Sequence, residues 1–163
     1  MLIALLSDIH DHTTNLLLAV NAARTEQCTH MLFMGDMATM STFRTLREEW
    51  GHHIDLVFGN NEYEISAFQR AAQQWHRVTL HGECADISLG GRRIFFCHLP
   101  WIAAKAAESG HYDAVFFGHT HESEIHHIGK TLIANPGEVY GRRGKPGIGI
   151  YDTESNTVRM VNI

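Results

Sequence analysis

Short apolar runs alternate with segments of helical period along the first half of the chain. "MLIALLS" at the start, "HMLFMG" from His30 and "HIDLVFG" from His53 read as buried strands. Between them, Leu16, Val20 and Ala23 share one face of a helix expected over residues 15 to 27, capped by Thr13 or Thr14. Phe43, Leu46 and Trp50 define a second helix, with Ser41 as its expected cap and Gly51 placed to end it. Ile65, Phe68, Ala72 and Trp75 form the apolar stripe of a third. Repeated strand and helix in this order predict parallel βα units. Beyond Val78 the pattern turns to strand pairs: "ADISLGGRRIFFCH" folds back at Gly90-Gly91, "SEIHHIGKTLIANPG" near Gly129-Lys130, and "GIGIYDTESNTVRMVNI" between Asp152 and Asn156. A short helix near Ile102 to Glu108 and the buried strand "YDAVFFG" complete the set. No linker, repeat or low-complexity tract divides the chain, so residues 1–163 are expected to form a single α/β domain.

Composition narrows the classes. The formal net charge is −5 and the basic residues form no block, so stable nucleic-acid binding is not expected. No apolar run approaches the ~20 residues that span a bilayer. The start lacks the basic n-region of a signal peptide, so the expectation is a soluble, cytoplasmic protein with no membrane partner. Cys28, Cys84 and Cys97 have no C-x-x-C spacing and read as small buried side chains in a reducing compartment. Thirteen histidines in 163 residues are more than packing calls for and raise the prior for metal binding.

The polar residues then fall in a pattern. Five apolar runs end alike: "LIALLS" in Asp8 and His10, "MLFMG" in Asp36, "DLVFG" in Asn60 and Asn61, "RIFFC" in His98, and "AVFFG" in His119 and His121. Each ending alone reads as a turn or a helix cap. Together they would surround one crevice, because strand ends that converge on one edge of a sheet are where α/β proteins bind ligands. Two carboxylates, four imidazoles and an amide make a nitrogen and oxygen ligand set without thiolate, suited to Mn, Fe, Co, Ni or Zn. Seven ligands exceed one tetrahedral ion and suffice for two ions sharing a carboxylate.

In order, D-x-H at Asp8, G-D at Asp36, G-N-N-E from Gly59, His98 and G-H-T-H from Gly118 resemble the calcineurin-like metallophosphoesterase superfamily, in its small stand-alone phosphodiesterase branch, and "NPGE" at 135 to 138 resembles that branch too. The resemblance implies the four-layer αββα fold, a two-sheet β-sandwich flanked by helices. It also implies a dinuclear centre, with Asp8, His10, Asp36 and His121 on one divalent transition-metal ion and Asp36, Asn60, His98 and His119 on the other. Asp36 would bridge. Manganese is the foremost expectation for both, with nickel, cobalt, iron or zinc as alternatives. Such a centre lowers the pKa of a shared water, so that a bridging hydroxide can attack phosphorus in line with the departing oxygen. The implied substrate is a small, nucleotide-like phosphodiester. A homodimer stays open, since no periodicity marks a pairing face.

Two positions depart from the wider superfamily. Many members carry histidine directly after the ligand asparagine, where this chain has Asn61. Asparagine can contact a phosphoryl oxygen but cannot donate a proton as a general acid. Diesters with good leaving groups, or substrates that bring their own acid, are therefore expected. Leu99, Pro100 and Trp101 follow His98 in place of the usual glycine, and Trp101 reads as a core or helix-start residue rather than a base-stacking platform. "YGRRGKPGIG" lacks the G-K-[ST] of a P-loop, and Arg142, Arg143 and Lys145 read as a solvated loop. His52, His53, His126 and His127 are expected to be exposed. The alternatives to a phosphodiesterase are a phosphomonoesterase or nuclease on the same site, and a non-catalytic protein-binding scaffold of the same fold, as in a retromer subunit that resembles this family.

Overall fold

The computed structural model describes residues 1–163, with the expected repeated units in place. Strands β1 (Leu2–Leu6), β2 (His30–Phe33), β3 (His53–Leu56) and β4 (Val78–Leu80) lie parallel, connected by helices α1 (Thr13–Thr25), α2 (Met40–Trp50) and α3 (Ile65–Gln74). The second half adds β5 (Cys84–Leu89), β6 (Arg92–Cys97), α4 (Pro100–Glu108), β7 (Ala114–Phe116), β8 (Ser123–Ile128), β9 (Thr131–Pro136), β10 (Gly147–Asp152) and β11 (Thr157–Asn162). The β10–β11 hairpin joins the first sheet beside β1, giving the order β11-β10-β1-β2-β3-β4. The second sheet runs β5-β6-β7-β9-β8, parallel through β6, β7 and β9 and antiparallel at both edges.

Strand period two sorts the apolar residues into layers. Ala4 and Leu6 of β1, with Met31 and Phe33 of β2, pack under α1 to α3; Ile3, Leu5, Leu32 and the following Met34 meet Ile94, Phe96, Phe116 and Leu132 of the second sheet. A third, smaller layer sets Cys97, Val115 and Ile133 against Ala103 and Ala107 of α4. Helices, two sheets and a last helix therefore stack as the expected αββα sandwich. Burial on both faces is why β1 and β2 read as continuous apolar runs rather than alternating ones. Truncating the fully buried Phe33 to alanine should cost about 3–5 kcal/mol. No helix is long and apolar enough to cross a membrane.

The helix starts differ from expectation. His12, not Thr13 or Thr14, caps α1, its Nδ1 accepting from the Asn15 amide at 3.2 Å. Thr39, not Ser41, precedes α2, and the first turn is held from outside: Asp11 accepts from Thr39 and Thr42, and Glu64 from the Met40 amide. Capping groups borrowed from other loops leave no local signature. Gly51 does end α2, in the left-handed region at φ 78°. In α3 the buried residues are Phe68 and Ala71, while Ile65 is exposed and Trp75 closes the helix against Phe43. Cys28 and Cys97 are buried, but Cys84 is only partly so.

Candidate metal centre

The strand ends converge because the loops that follow them are stitched to one another. The amide of Asp8 donates to Gly35 O, Ile9 and His10 to Asp36 O, Gly118 to His98 O, and Val139 and Tyr140 to the carbonyls of Ser7 and Asp8. Five of the seven expected ligands, Asp8, His10, Asp36, His119 and His121, lie at positive φ between 45° and 70°. Asp and His tolerate this region better than most residues, yet each such position costs about 1–3 kcal/mol and persists only where surrounding bonds dictate it.

All seven expected residues meet at one place. His10 Nε2 lies 3.3 Å from His121 Nε2, 3.7 Å from Asp8 Oδ1 and 3.6 Å from Asp36 Oδ2. Asp36 Oδ2 is also 3.4 Å from His98 Nε2, so one carboxylate oxygen stands between the two halves of the set. On the far side, Asn60 Oδ1 is 2.9 Å from both His98 Nε2 and His119 Nδ1. Asp8, His10 and His121 form one group with metal-ligand spacing, and Asp8, Asp36 and His98 another. Asn61 is drawn inward: its backbone amide donates to Asp36 Oδ1 at 2.8 Å and its side-chain amide to Asp36 Oδ2 at 2.7 Å.

The hydrogen bonds behind the rings fix which nitrogen faces the centre. His98 Nδ1 donates to Met34 O at 2.7 Å, and His121 Nδ1 donates to Glu138 Oε2 at 2.6 Å. In the neutral rings each Nε2 therefore presents a lone pair, as a metal ligand must. Those lone pairs face acceptors: His121 Nε2 looks at Asp8 Oδ1 from 3.3 Å, and His98 Nε2 at Asn60 Oδ1. Asp8 Oδ1 is fully buried with no hydrogen-bond partner. A buried carboxylate oxygen left unpaired is costly, and lone pairs aimed at one another are relieved by a cation among them. The residues present thus fit divalent ions.

Electrostatics follow the same geometry. The nearby Asp8 carboxylate, with help from Asp36, raises the His10 imidazole above its ordinary value against the pull of burial. Burial would lower His98, but the Asp36 carboxylate outweighs it and raises the ring; burial would raise Asp36, but His98 and the Asn61 donors hold it far below the usual carboxylate range. Burial and the neighbouring His98 lower His119. The ligands border an open cleft of about 390 Å³, whose wall is polar throughout and includes Thr120, Glu122 and Arg143.

Comparison with known proteins places this arrangement. A family model described as the calcineurin-like phosphoesterase superfamily domain matches residues 1–156. The chain belongs to the calcineurin-like phosphoesterase superfamily. It is 28% identical to Phosphodiesterase MJ0936 of Methanocaldococcus jannaschii, over 99% of this chain and 98% of that protein. Its fold superposes on the structure of an archaeal phosphodiesterase with a TM-score of 0.92 at 27% identity, covering 100% of both chains. The fold is shared more distantly with YfcE, a phosphoesterase of E. coli (TM-score 0.71, 17% identity, 100% of both chains), and with Vps29 of Chaetomium thermophilum (TM-score 0.70, 14% identity, 100% of this chain and 97% of that one).

Within this superfamily fold, several residues of the quoted motifs take supporting roles that a reading of the sequence does not assign. Glu138, the acid of "NPGE", is buried and, besides His121, accepts the amides of Arg143 and Gly144. Those donors outweigh its burial and keep it ionised. Glu62 accepts the amides of Met37 and Gly59 and so ties the loops after β2 and β3 together; burial raises its carboxyl. Asn135 holds Gly118 O and Thr120 Oγ1, which sets the G-H-T-H loop. Their sequence signal is membership of the quoted motifs, Glu62 in G-N-N-E and Asn135 and Glu138 in "NPGE", which marks the positions without giving their roles. Trp101 does start a helix, but it is 60% exposed rather than in the core, and its ring stands 6.2 Å from that of His119. Arg142, Arg143 and Lys145 are all exposed as expected, and Arg143 also borders the cleft and donates to Thr120 O. His52, His126 and His127 are exposed, and His53 is only half so.

Proposed function

We propose that the protein is a metal-dependent phosphodiesterase, with Asp8, His10, Asp36 and His121 holding one divalent ion and Asp36, Asn60, His98 and His119 a second. The observation that carries this reading is the position of Asp36 Oδ2, set between His10 and His98 beside an Asp8 oxygen that has no other partner. Likeness to the archaeal phosphodiesterases supports it. Manganese is the foremost candidate, with nickel, cobalt, iron or zinc as alternatives that the nitrogen and oxygen set would also accept. Two such ions would supply Lewis acidity and an acidified water for in-line attack at phosphorus.

The chain's own residues do the rest. Met34 O and Glu138 hold the His98 and His121 rings with their lone pairs inward. Asn61, once Asp36 Oδ2 turns to a cation, has a free side-chain amide at the cleft wall to hydrogen-bond a phosphoryl oxygen. It supplies no proton, so the leaving group departs unassisted by this position. Charge would set the substrate class: two divalent ions would offset Asp8, Asp36 and a hydroxide with about one positive charge to spare, which the Glu138 and Glu122 carboxylates would temper and Arg143 at the cleft partly restore. A small monoanionic diester, nucleotide-like in size, suits that field better than a dianionic monoester.

The test compares bis(p-nitrophenyl) phosphate with p-nitrophenyl phosphate over Mn, Ni, Co, Zn and Mg. The expected result is metal-dependent hydrolysis, faster for the diester. A preference for the monoester would reassign the substrate class, and no turnover of either compound with any metal would favour the non-catalytic scaffold.

A further inference from the structure

A second histidine cluster lies away from the cleft, on the face of the first sheet that looks toward the second. His30 opens β2 and pairs in register with His53, which opens β3; Asp55 follows His53 on the same strand face, and His81 follows β4. Asp36 of the cleft lies beyond the other end of β2 from His30. All three imidazoles turn Nε2 toward one carboxylate. His30 Nε2 donates to Asp55 Oδ2 at 2.6 Å, His81 Nε2 to Asp55 Oδ1 at 2.6 Å, and His53 Nε2 stands 3.7 Å from Oδ2. The His30 and His53 rings stack with centroids 5.0 Å apart. Asp55 and His30 are each only 8% exposed, so this is a buried carboxylate, while the His53 side chain is 39% exposed and leaves a way in.

Packing alone does not call for this set. His30 and Asp55 occupy positions where the strand pattern asks for an apolar residue, alongside Leu32 and Val57 of the same layer. Side-chain atoms of His30, His53 and Asp55 already lie within the mutual spacing of a metal site. Ligand atoms around a tetrahedral ion with bonds of about 2.0–2.1 Å are about 3.3 Å apart. Seating an ion would open the His30 to Asp55 separation by a little over half an ångström and close that of His53 slightly. His53 would exchange its 3.0 Å contact with Thr79 Oγ1 for the ion, a move its exposed ring can make. His81 would stay on the other oxygen of Asp55 and orient it, the role a partner behind a ligating carboxylate commonly plays.

We propose that His30, His53 and Asp55, with His81 behind Asp55, form a separate mononuclear site for a borderline divalent ion of the Zn²⁺ class, completed by water. Three nitrogen and oxygen donors with one open position suit Zn²⁺ or Co²⁺ better than Mg²⁺ or Ca²⁺, which want more oxygens. The site does not depend on phosphodiester hydrolysis, and its ion is independent of the pair at the cleft.

The experiment strips the full-length protein with a chelator and titrates it with Co²⁺, reading bound ions per chain and the visible absorption of four-coordinate cobalt. The same titration is run on His53→Ala and on His53→Gln, which preserves a polar contact to Thr79. Both variants are expected to bind one ion fewer per chain and to lose the four-coordinate band, with diester hydrolysis within twofold of the parent. An unchanged ion count and spectrum in either folded variant would overturn the proposal and leave the cluster as a hydrogen-bonded brace.

Discussion

At the carboxyl ends of β1 and β2, Asp8, His10 and Asp36 take left-handed backbone angles, whereas at the starts of β2 and β3 His30, His53 and Asp55 keep regular strand geometry. The cleft cluster leaves Asp8 Oδ1 buried and unpaired; in the other, both oxygens of Asp55 accept a hydrogen bond from histidine. The first arrangement is held open by its loops and stays incomplete without cations. The second is closed on itself and must part a hydrogen bond to admit one. Strain at the first, about 1–3 kcal/mol per left-handed residue, is carried by the sandwich in advance, so little of the binding energy of the ions goes into reshaping the site. Affinity should therefore be higher at the cleft than at the strand starts.

Breaking the cleft should have the largest effect. Asp36→Asn removes the oxygen placed between His10 and His98, and diester hydrolysis should fall by about 10³-fold or more, the scale expected when several kcal/mol of charge stabilisation are lost. A loss under tenfold in a steady-state assay with saturating metal would put Asp36 outside the chemistry. Asn61→His supplies the proton donor this chain lacks. Alkyl diesters, whose leaving groups need protonation, should be hydrolysed about 10²-fold faster. Slower turnover with the metal content intact would contradict the role given to Asn61.

Glu138→Gln tests the support behind the rings. The carboxylate accepts from His121 on one oxygen and from backbone amides on the other, and an amide must turn an NH₂ toward one of these donors. Metal affinity measured by calorimetry should drop about 10–100-fold. Thermal unfolding then sharpens the contrast between the clusters. Each ion held at 100 times its dissociation constant stabilises by about 2.7 kcal/mol, so chelating the two ions of the cleft should lower the Tm by about 10–20 °C. Most of that shift should vanish in Asp36→Asn and little of it in His53→Ala. The smallest effect expected is on diesterase activity in His53→Gln, within twofold of the parent.

The cleft was legible in the sequence for the same reason it is strained. Asp8, Asp36, Asn60, His98 and His119 each interrupt an apolar run at its end, and five such interruptions stand out against a buried parallel sheet. His53 is different: at the start of a strand it reads as a solvated residue, and while Asp55 shares its strand, His30 and His81 come from two other places in the chain, joined only by the β2–β3–β4 register. The caps of α1 and α2 escaped for a similar reason, since Asp11 and Glu64 reach them from neighbouring loops. β4 is three residues long, directly after a helix, too short for any periodicity to show. The parallel units needed only local pattern, and local pattern carried them, whereas the order of the layers came with the family resemblance.

Bound metal per chain, counted in wild type and in Asp36→Asn after saturation with Co²⁺ and removal of excess, tests the shared carboxylate most directly. If Asp36 serves both ions at the cleft, the count falls by two, with both lost together. A fall of one would mean that Asp36 belongs to a single ion, and no fall would mean that the strand ends do not form the centre described.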